Sequence, residues 1–286
     1  MANPAVLVVG SLHHDIMIEA DRLPRRDETA VGRRWYPKFG GKGGNQAVAA
    51  AKAGVAARML GAVGRDGFGA FLLAALDVAG VDRRFVAELD GTGSGMSVAV
   101  QDAAGDYAAT IVSGANLSID PAPLHQAALW DGIAVLVLQN EVPEALNIAA
   151  ARIARDRGLP VILNAAPARP LSTNLLAATT ILIVNAVEAE MMGTPPVTDL
   201  PSARMAAERL SALVPQVVVT AGGHGLAFAE SGQVQGIAAE RVTVVSTHGA
   251  GDMFTGTLAA ETARGRGLAD ACRTAAQAAA AHVSGH

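Results

Sequence analysis

Four short apolar runs decide the fold: Val135-Leu-Val-Leu138, Val161-Ile-Leu163, Ile181-Leu-Ile-Val184 and Val217-Val-Val-Thr220. Their brevity and uniform apolarity predict strands buried on both faces. Helical stretches at Glu144–Arg157 and Ser202–Leu213 fall between them. Strands alternating with helices predict a parallel sheet covered on both sides. In such sheets a ligand sits at the carboxyl ends of the strands.

Working outward, Val6–Gly10 and Met59–Val63 are further buried strands, and Asn45–Ala53 and Phe68–Val78 read as helices. Gly95–Gln101 and Asp106–Val112 alternate or run β-branched, with Asp102-Ala-Ala-Gly105 between them. That pattern predicts a hairpin. The hairpin is expected to join Ile16–Ala20 and Thr29–Tyr36 in a small separate sheet. The polar segment Arg22–Lys38 holds two prolines and is expected outside the core.

Hydrophobic residues make up 51% of the 286 residues and charged ones 17%, so a large core is expected rather than disorder. The net charge is −4, no run of lysine or arginine occurs, and aromatics are 3%. This balance argues against a nucleic-acid partner, which calls for basic patches and stacking rings. Arg22, Arg25 and Arg26 read as solvated surface. Cys272, the one cysteine, can form no internal disulfide and reads as part of a helix face. The N-terminus has no positive region before its short apolar run, and no apolar stretch reaches the ~18 residues of a membrane span. A cytoplasmic protein without membrane contact is expected.

Two glycine-rich motifs carry chemistry. The first is Ser246-Thr-His-Gly-Ala-Gly-Asp-Met-Phe-Thr-Gly256. Gly249, Ala250 and Gly251 are small enough for a phosphate to approach the backbone. Asp252 would open a helix over Asp252–Ala263, where free N–H groups and the helix dipole favour negative charge. A carboxylate there can take a proton from an attacking hydroxyl. The bland alternative is an aspartate N-cap after a flexible turn. The second motif is Gly40-Gly-Lys-Gly-Gly-Asn-Gln-Ala47. It fits neither the phosphate loop nor the dinucleotide fingerprint. Asn45 can donate and accept hydrogen bonds, which suits a sugar hydroxyl, or it could cap the helix. His13 and His14 are adjacent on a strand and point to opposite faces, so they are not a metal pair.

Together these motifs resemble the two signatures of the ribokinase family, the PfkB-type sugar kinases. Gly10-Ser-Leu-His-His-Asp15, Gln139-Asn-Glu141, Asn164-Ala-Ala-Pro-Ala-Arg169, Asn185-Ala-Val-Glu188 and Thr220-Ala-Gly-Gly-His-Gly225 match in order. The resemblance covers nearly the whole chain. It implies a ribokinase-like α/β three-layer sandwich, one kinase domain over residues 1–286. A β-sheet lid is implied, from segments near 13–38 and 95–112, that often serves as a homodimer contact. The implied activity is transfer of the γ-phosphate of ATP, with Mg2+, to a primary hydroxyl of a ribose-like sugar. Asp252 then matches the base, and Gly249, Ala250 and Gly251 match the anion hole. His13, Asp15, Gly41, Lys42, Asn45 and Glu141 match sugar-binding positions. Asn185 and Glu188 match the motif that organises magnesium and phosphate, with Glu188 acting through water. Thr220, Gly222 and Gly225 match a loop beside the nucleotide.

The chain departs from the pattern in places. His13 stands where asparagine is common, which opens the identity of the acceptor: another sugar or an adenosine-like nucleoside is the alternative. Ser246 stands where aspartate is common, in a segment that in the family helps hold K+; Ser246 and His248 are the side chains here that could serve a monovalent cation. Family members usually run on beyond the point matching Ala281-His-Val-Ser-Gly-His286, with a loop and a helix that contribute to the cation site and adenine pocket. These departures motivate a third alternative, a sugar- or nucleotide-binding module without catalysis.

Overall fold

The computed structural model describes residues 4–102 and 107–285. In chain order the strands are β1 (Ala5–Val9), β2 (His13–Ala20), β3 (Gly32–Gly40), β4 (Ala56–Gly64), β5 (Asp82–Leu89), β6 (Met96–Gln101), β7 (Tyr107–Val112), β8 (Ile133–Gln139), β9 (Val161–Asn164), β10 (Ile181–Asn185), β11 (Gln216–Thr220), β12 (Leu226–Glu230) and β13 (Gln233–Ile237). The helices are α1 (Lys42–Lys52), α2 (Gly67–Val78), α3 (Ala127–Trp130), α4 (Glu144–Asp156), α5 (Thr173–Ala178), α6 (Ala186–Met191), α7 (Leu200–Leu210), α8 (Ala250–Ala263) and α9 (Leu268–Val283).

Nine strands form the main sheet in the order β13-β12-β11-β10-β9-β8-β1-β4-β5. From β11 to β5 all pairs are parallel, while β12 and β13 add an antiparallel edge. Alternate residues of each inner strand serve opposite faces. Leu7, Val9, Leu136 and Leu138 pack with Leu146 of α4, Leu175 of α5 and Leu210 of α7. Val6, Val8, Val135 and Val137 pack with Ala47 of α1, Leu72 of α2, Leu258 of α8 and Cys272 of α9. Two cores thus explain why these strands lack polar positions. Cys272 is buried and its thiol is pushed well above its ordinary range by that burial, in keeping with a packing role.

The small sheet has the order β3-β2-β6-β7, with β2 and β6 parallel and the other pairs antiparallel. The expected grouping of these segments is observed, and the hairpin strands β6 and β7 are present; beyond Asp102 their expected turn lies outside the described residues. The strand expected at Thr29–Tyr36 lies later, at Gly32–Gly40. It takes in Pro37, which an edge strand tolerates because its outer N–H positions need no partner. Strands β5 and β13 were not foreseen, because their burial is partial and their polar content high; β12 was not foreseen although four of its five residues are buried, because it is short and two of them are alanines with little strand preference.

Strand β1 is the topological switch point. Its neighbours β4 and β8 follow it in the chain on opposite sides. The chain leaves β1 at Gly10 and enters β2 of the small sheet at His13. The crevice at the carboxyl ends of β1, β8, β9, β10 and β11 is therefore where a ligand would bind.

Candidate active site

Helix α1 starts at Lys42, three residues before the expected Asn45. Gly41 is its N-cap, with φ of 85°. A left-handed backbone there suits glycine. The cap is supplied from far away: Glu141, just past β8, accepts the Lys42 N–H at 2.8 Å through Oε2. The same oxygen accepts the Ser11 hydroxyl at 2.5 Å. His13 Nδ1 lies 3.8 Å from it. Glycine is also required at position 43, where a Cβ would come within 2.5 Å of Ser11 N. Asn45 therefore sits inside the helix, and its own N–H bonds to Gly41 O at 2.9 Å. Its side chain is free for other work.

That work is done on Asp252. Helix α8 begins at Ala250, two residues earlier than expected, after Gly249 in the left-handed conformation with φ of 80°. Asp252 lies in its first turn, where N–H groups have no partner within the helix. Asn45 Nδ2 donates to its Oδ2 at 3.0 Å, and Gln46 Nε2 donates to its Oδ1 at 2.9 Å. Asp252 is not the N-cap, so the bland capping role is set aside. Burial raises its pKa above the ordinary carboxylate value; the Lys42 ammonium and the two amide donors pull against that shift, and Glu141 adds to it.

Asp252 borders two cavities. One, of about 190 Å³, is lined by Lys42, Asn164, Asn185, Glu188, Thr220 and Gly251 among others. The other, of about 270 Å³, is lined by Lys38, Asn45, Lys52, His248, Gly249 and His282 among others. Asn185 caps α6: its side chain accepts the Glu188 N–H, and Glu188 Oε2 accepts the Asn185 N–H, each at 2.9 Å. Glu188 is buried, and desolvation raises its pKa, with the Asp252 carboxylate adding and Lys42 opposing. Glu188 and Asp252 both line this polar cavity, which suits magnesium, an ion that keeps several waters and is held through one or two carboxylates. Among the described residues no group of three or more metal-ligating side chains occurs, so an ion here would lean on phosphate oxygens for its remaining ligands.

The remaining expected residues fall as follows. Asp15 is buried on β2 of the small sheet, where its Oδ1 accepts the hydroxyl of Ser97 on the neighbouring β6 at 2.5 Å. His13 is buried with Nε2 unpartnered. His14 points away and stacks on Phe68 at 4.1 Å, as expected for neighbouring residues on a strand. Thr220 lies at the end of β11, paired with Asn185. Gly222 and Gly225 hold positive φ of 54° and 98° in the turn that follows. At Gly225 a Cβ would meet Ile237 O at 2.1 Å. Ser246 and His248 are both exposed and line the larger cavity, where the Ser246 hydroxyl accepts the His248 N–H at 3.3 Å. Sequence reasoning missed Ser11 and Gln46. Gln46 lay within the second motif, but its reach to Asp252, 206 residues away, comes only from the crossing of α1 and α8.

The pfkB family carbohydrate kinase model matches residues 3–286. The chain belongs to this family. It is a phosphotransferase that acts on a sugar hydroxyl. Among curated relatives, ribokinase of Bacillus subtilis (strain 168) is 32% identical over 279 residues, 97% of this chain and 92% of that protein. Deoxyribokinase of Salmonella typhi is 31% identical over 257 residues, 89% of this chain and 84% of that protein. Among solved structures, Arabidopsis thaliana ribokinase complexed with ribose and ATP superposes with a TM-score of 0.90 at 31% identity, covering 99% of this chain and 93% of that one. The family placement agrees with the layered architecture and with both glycine motifs. Among the described residues no helix is long and apolar enough to cross a membrane.

Proposed function

We propose that this family member transfers the γ-phosphate of ATP to the primary hydroxyl of a ribose-like pentose, with Asp252 as general base. The observation that carries the reading is the placement of Asp252, a buried carboxylate in the first turn of α8 between two cavities, hydrogen-bonded by the Asn45 and Gln46 amides. The acceptor is held by His13, Asp15, Gly41, Lys42, Asn45 and Glu141. Glu141 spends Oε2 on Ser11 and Lys42, which leaves Oε1 for a sugar hydroxyl. The phosphates lie in the smaller cavity, against Lys42, Asn185 and the N–H groups of Gly249, Ala250 and Gly251, and the nucleotide runs on past Thr220, Gly222 and Gly225.

In the reaction Asp252 accepts the hydroxyl proton as the oxygen attacks the γ-phosphorus. The bond from that phosphorus to the β-phosphate oxygen breaks, and ADP leaves. Lys42 and the α8 N-terminus hold the charge that builds on the transferring group. Magnesium, when bound, neutralises phosphate charge, and Glu188 is the side chain here that would hold it through water. Two relatives named as kinases of ribose and deoxyribose support a pentose acceptor.

The test is ADP formation from ATP and magnesium across ribose, 2-deoxyribose, hexoses and nucleosides, with and without potassium. Saturable turnover with a pentose is expected. Turnover with nucleosides alone, or silence throughout, would overturn the reading. Replacing Glu188 with glutamine keeps an oxygen for the Asn185 cap and removes the charge. The expected result is an unchanged melting temperature and a magnesium requirement raised by roughly 10-fold, read by titrating magnesium at saturating ATP.

The small sheet serves as a lid and as the contact of a homodimer. Exposed Trp35 on β3 and exposed Ile111 and Val112 on β7 support this. Sedimentation as a monomer at high concentration would refute it.

A further inference from the structure

The hydrogen bonds around Asp252 single out Gln46. Gln46 is fully buried in α1. Its Nε2 donates both protons: one to Asp252 Oδ1 at 2.9 Å and one to Asn164 Oδ1 at 3.1 Å. Asn164 ends β9, in a sheet position paired with Gln139. A buried side chain that spans from the rigid sheet to the reacting carboxylate has one orientation that satisfies both acceptors. Asn45, by contrast, reaches Asp252 from the cavity wall.

We infer that Gln46 is a positioning residue: anchored on Asn164, it fixes the direction of the Asp252 carboxylate and favours its ionised form. The inference rests on the proposal that Asp252 is the base. An amide proton on Oδ1 leaves one lone-pair direction of Oδ2 for the acceptor hydroxyl, since Asn45 occupies the other. The amide also stabilises negative charge in a site where burial opposes it. The other charged or titratable groups that face Asp252 are Lys42 of α1, Glu141 past β8 and Glu188 of α6. Lys38, Lys52, His248 and His282 line the larger cavity with it. None of these bonds to Oδ1, so none replaces the Gln46 proton.

The test uses the full chain and the acceptor that gives turnover. Asp252→Asn is measured first, and near-normal turnover there would refute the base itself, whatever Gln46 does. With the base established, Gln46→Met keeps the volume and removes the donor. Turnover is expected to fall roughly 10-fold, with KM for the acceptor changed less than about twofold. The acidic limb of the pH–rate profile should move to higher pH, because loss of a donor to the ionised form raises the pKa of Asp252. Gln46→Glu should lose more turnover near neutral pH than Gln46→Met, since a second carboxylate opposes ionisation of the first. An unmoved acidic limb in a folded Gln46→Met protein would overturn the inference. If Gln46→Met does not fold, Asn164→Ala carries the test: a limb moved to higher pH supports the anchor, and an unmoved limb refutes it.

Discussion

Replacing Asp252 with asparagine lowers turnover by roughly 100- to 10,000-fold and leaves the protein folded. Asparagine has the shape of aspartate but cannot take the hydroxyl proton. Initial rates of ADP formation at saturating acceptor check the loss. A structural role for Asp252 predicts the opposite pattern, with stability lost and activity falling only in proportion. Stability gives an independent reading. Burial raises the pKa of Asp252 in the folded protein. In the window between its unfolded and folded values the native state binds more protons, so Asp252 makes stability fall as pH rises through that window. Above it the carboxylate is ionised in both states and the destabilisation is complete. Asparagine removes this penalty. The melting temperature of the variant should therefore fall less than that of the parent between mildly acidic and neutral buffer, even if its absolute value drops because the new NH2 faces one of the Asn45 and Gln46 donors. A variant whose melting temperature falls as steeply as that of the parent between the two buffers would contradict the raised pKa.

Replacing Gly256 with alanine is expected to cost about 1–3 kcal/mol of stability and to lower turnover by on the order of 100-fold. Gly256 lies one turn beyond Asp252 on α8, at the crossing with α1. A Cβ there would stand 2.4 Å from Gln46 O, 2.5 Å from Ala49 Cβ and 2.9 Å from Ala50 N. Two of these atoms are backbone, so the helices must part. Parting them draws Asn45 and Gln46 away from the carboxylate that they hold at 3.0 and 2.9 Å. Denaturant melts measure the first effect and kinetics the second. Since α1 carries both the Lys42 N–H bonded to Glu141 and the amides on Asp252, KM for the acceptor should rise along with the fall in kcat. Full activity in this variant would mean that the crossing distance does not set the geometry of the base.

The two effects differ in kind. Asp252→Asn removes a chemical group from intact geometry. Gly256→Ala keeps every functional group and disturbs their distances. Measuring both on one preparation separates the chemistry from the scaffold that aims it.

The fold class was legible in local sequence because each signal was local. Val6–Gly10 and Ile181–Val184 read as buried strands from uniform apolarity alone, and helices followed at the expected intervals. The antiparallel edge β12–β13 was not legible, since β13 is partly exposed with mixed residues and β12 is short with two alanines that carry little strand preference. Asp252, Asn45, Lys42 and Glu188 were legible as candidates because glycine-rich turns mark where backbone must approach a ligand. Helix boundaries were not: α1 starts at Lys42 because Glu141, 99 residues on, accepts its first N–H. Strand β3 starts late because its register is set by pairing with β2.

By itself, the order of apolar runs and glycines determined an α/β sheet with helices on both faces, and a small second sheet beside it. It also marked the segments that carry the chemistry. Only the tertiary structure decided what those segments do to one another. Gln46, Asn164 and Asp252 are far apart in the chain and carry no mutual signal. They meet because Gly256 lets α8 cross α1 at close range, and because β9 ends beneath that crossing. Hydrogen bonds and charge act over a few ångströms of space, and separation along the chain does not register that distance.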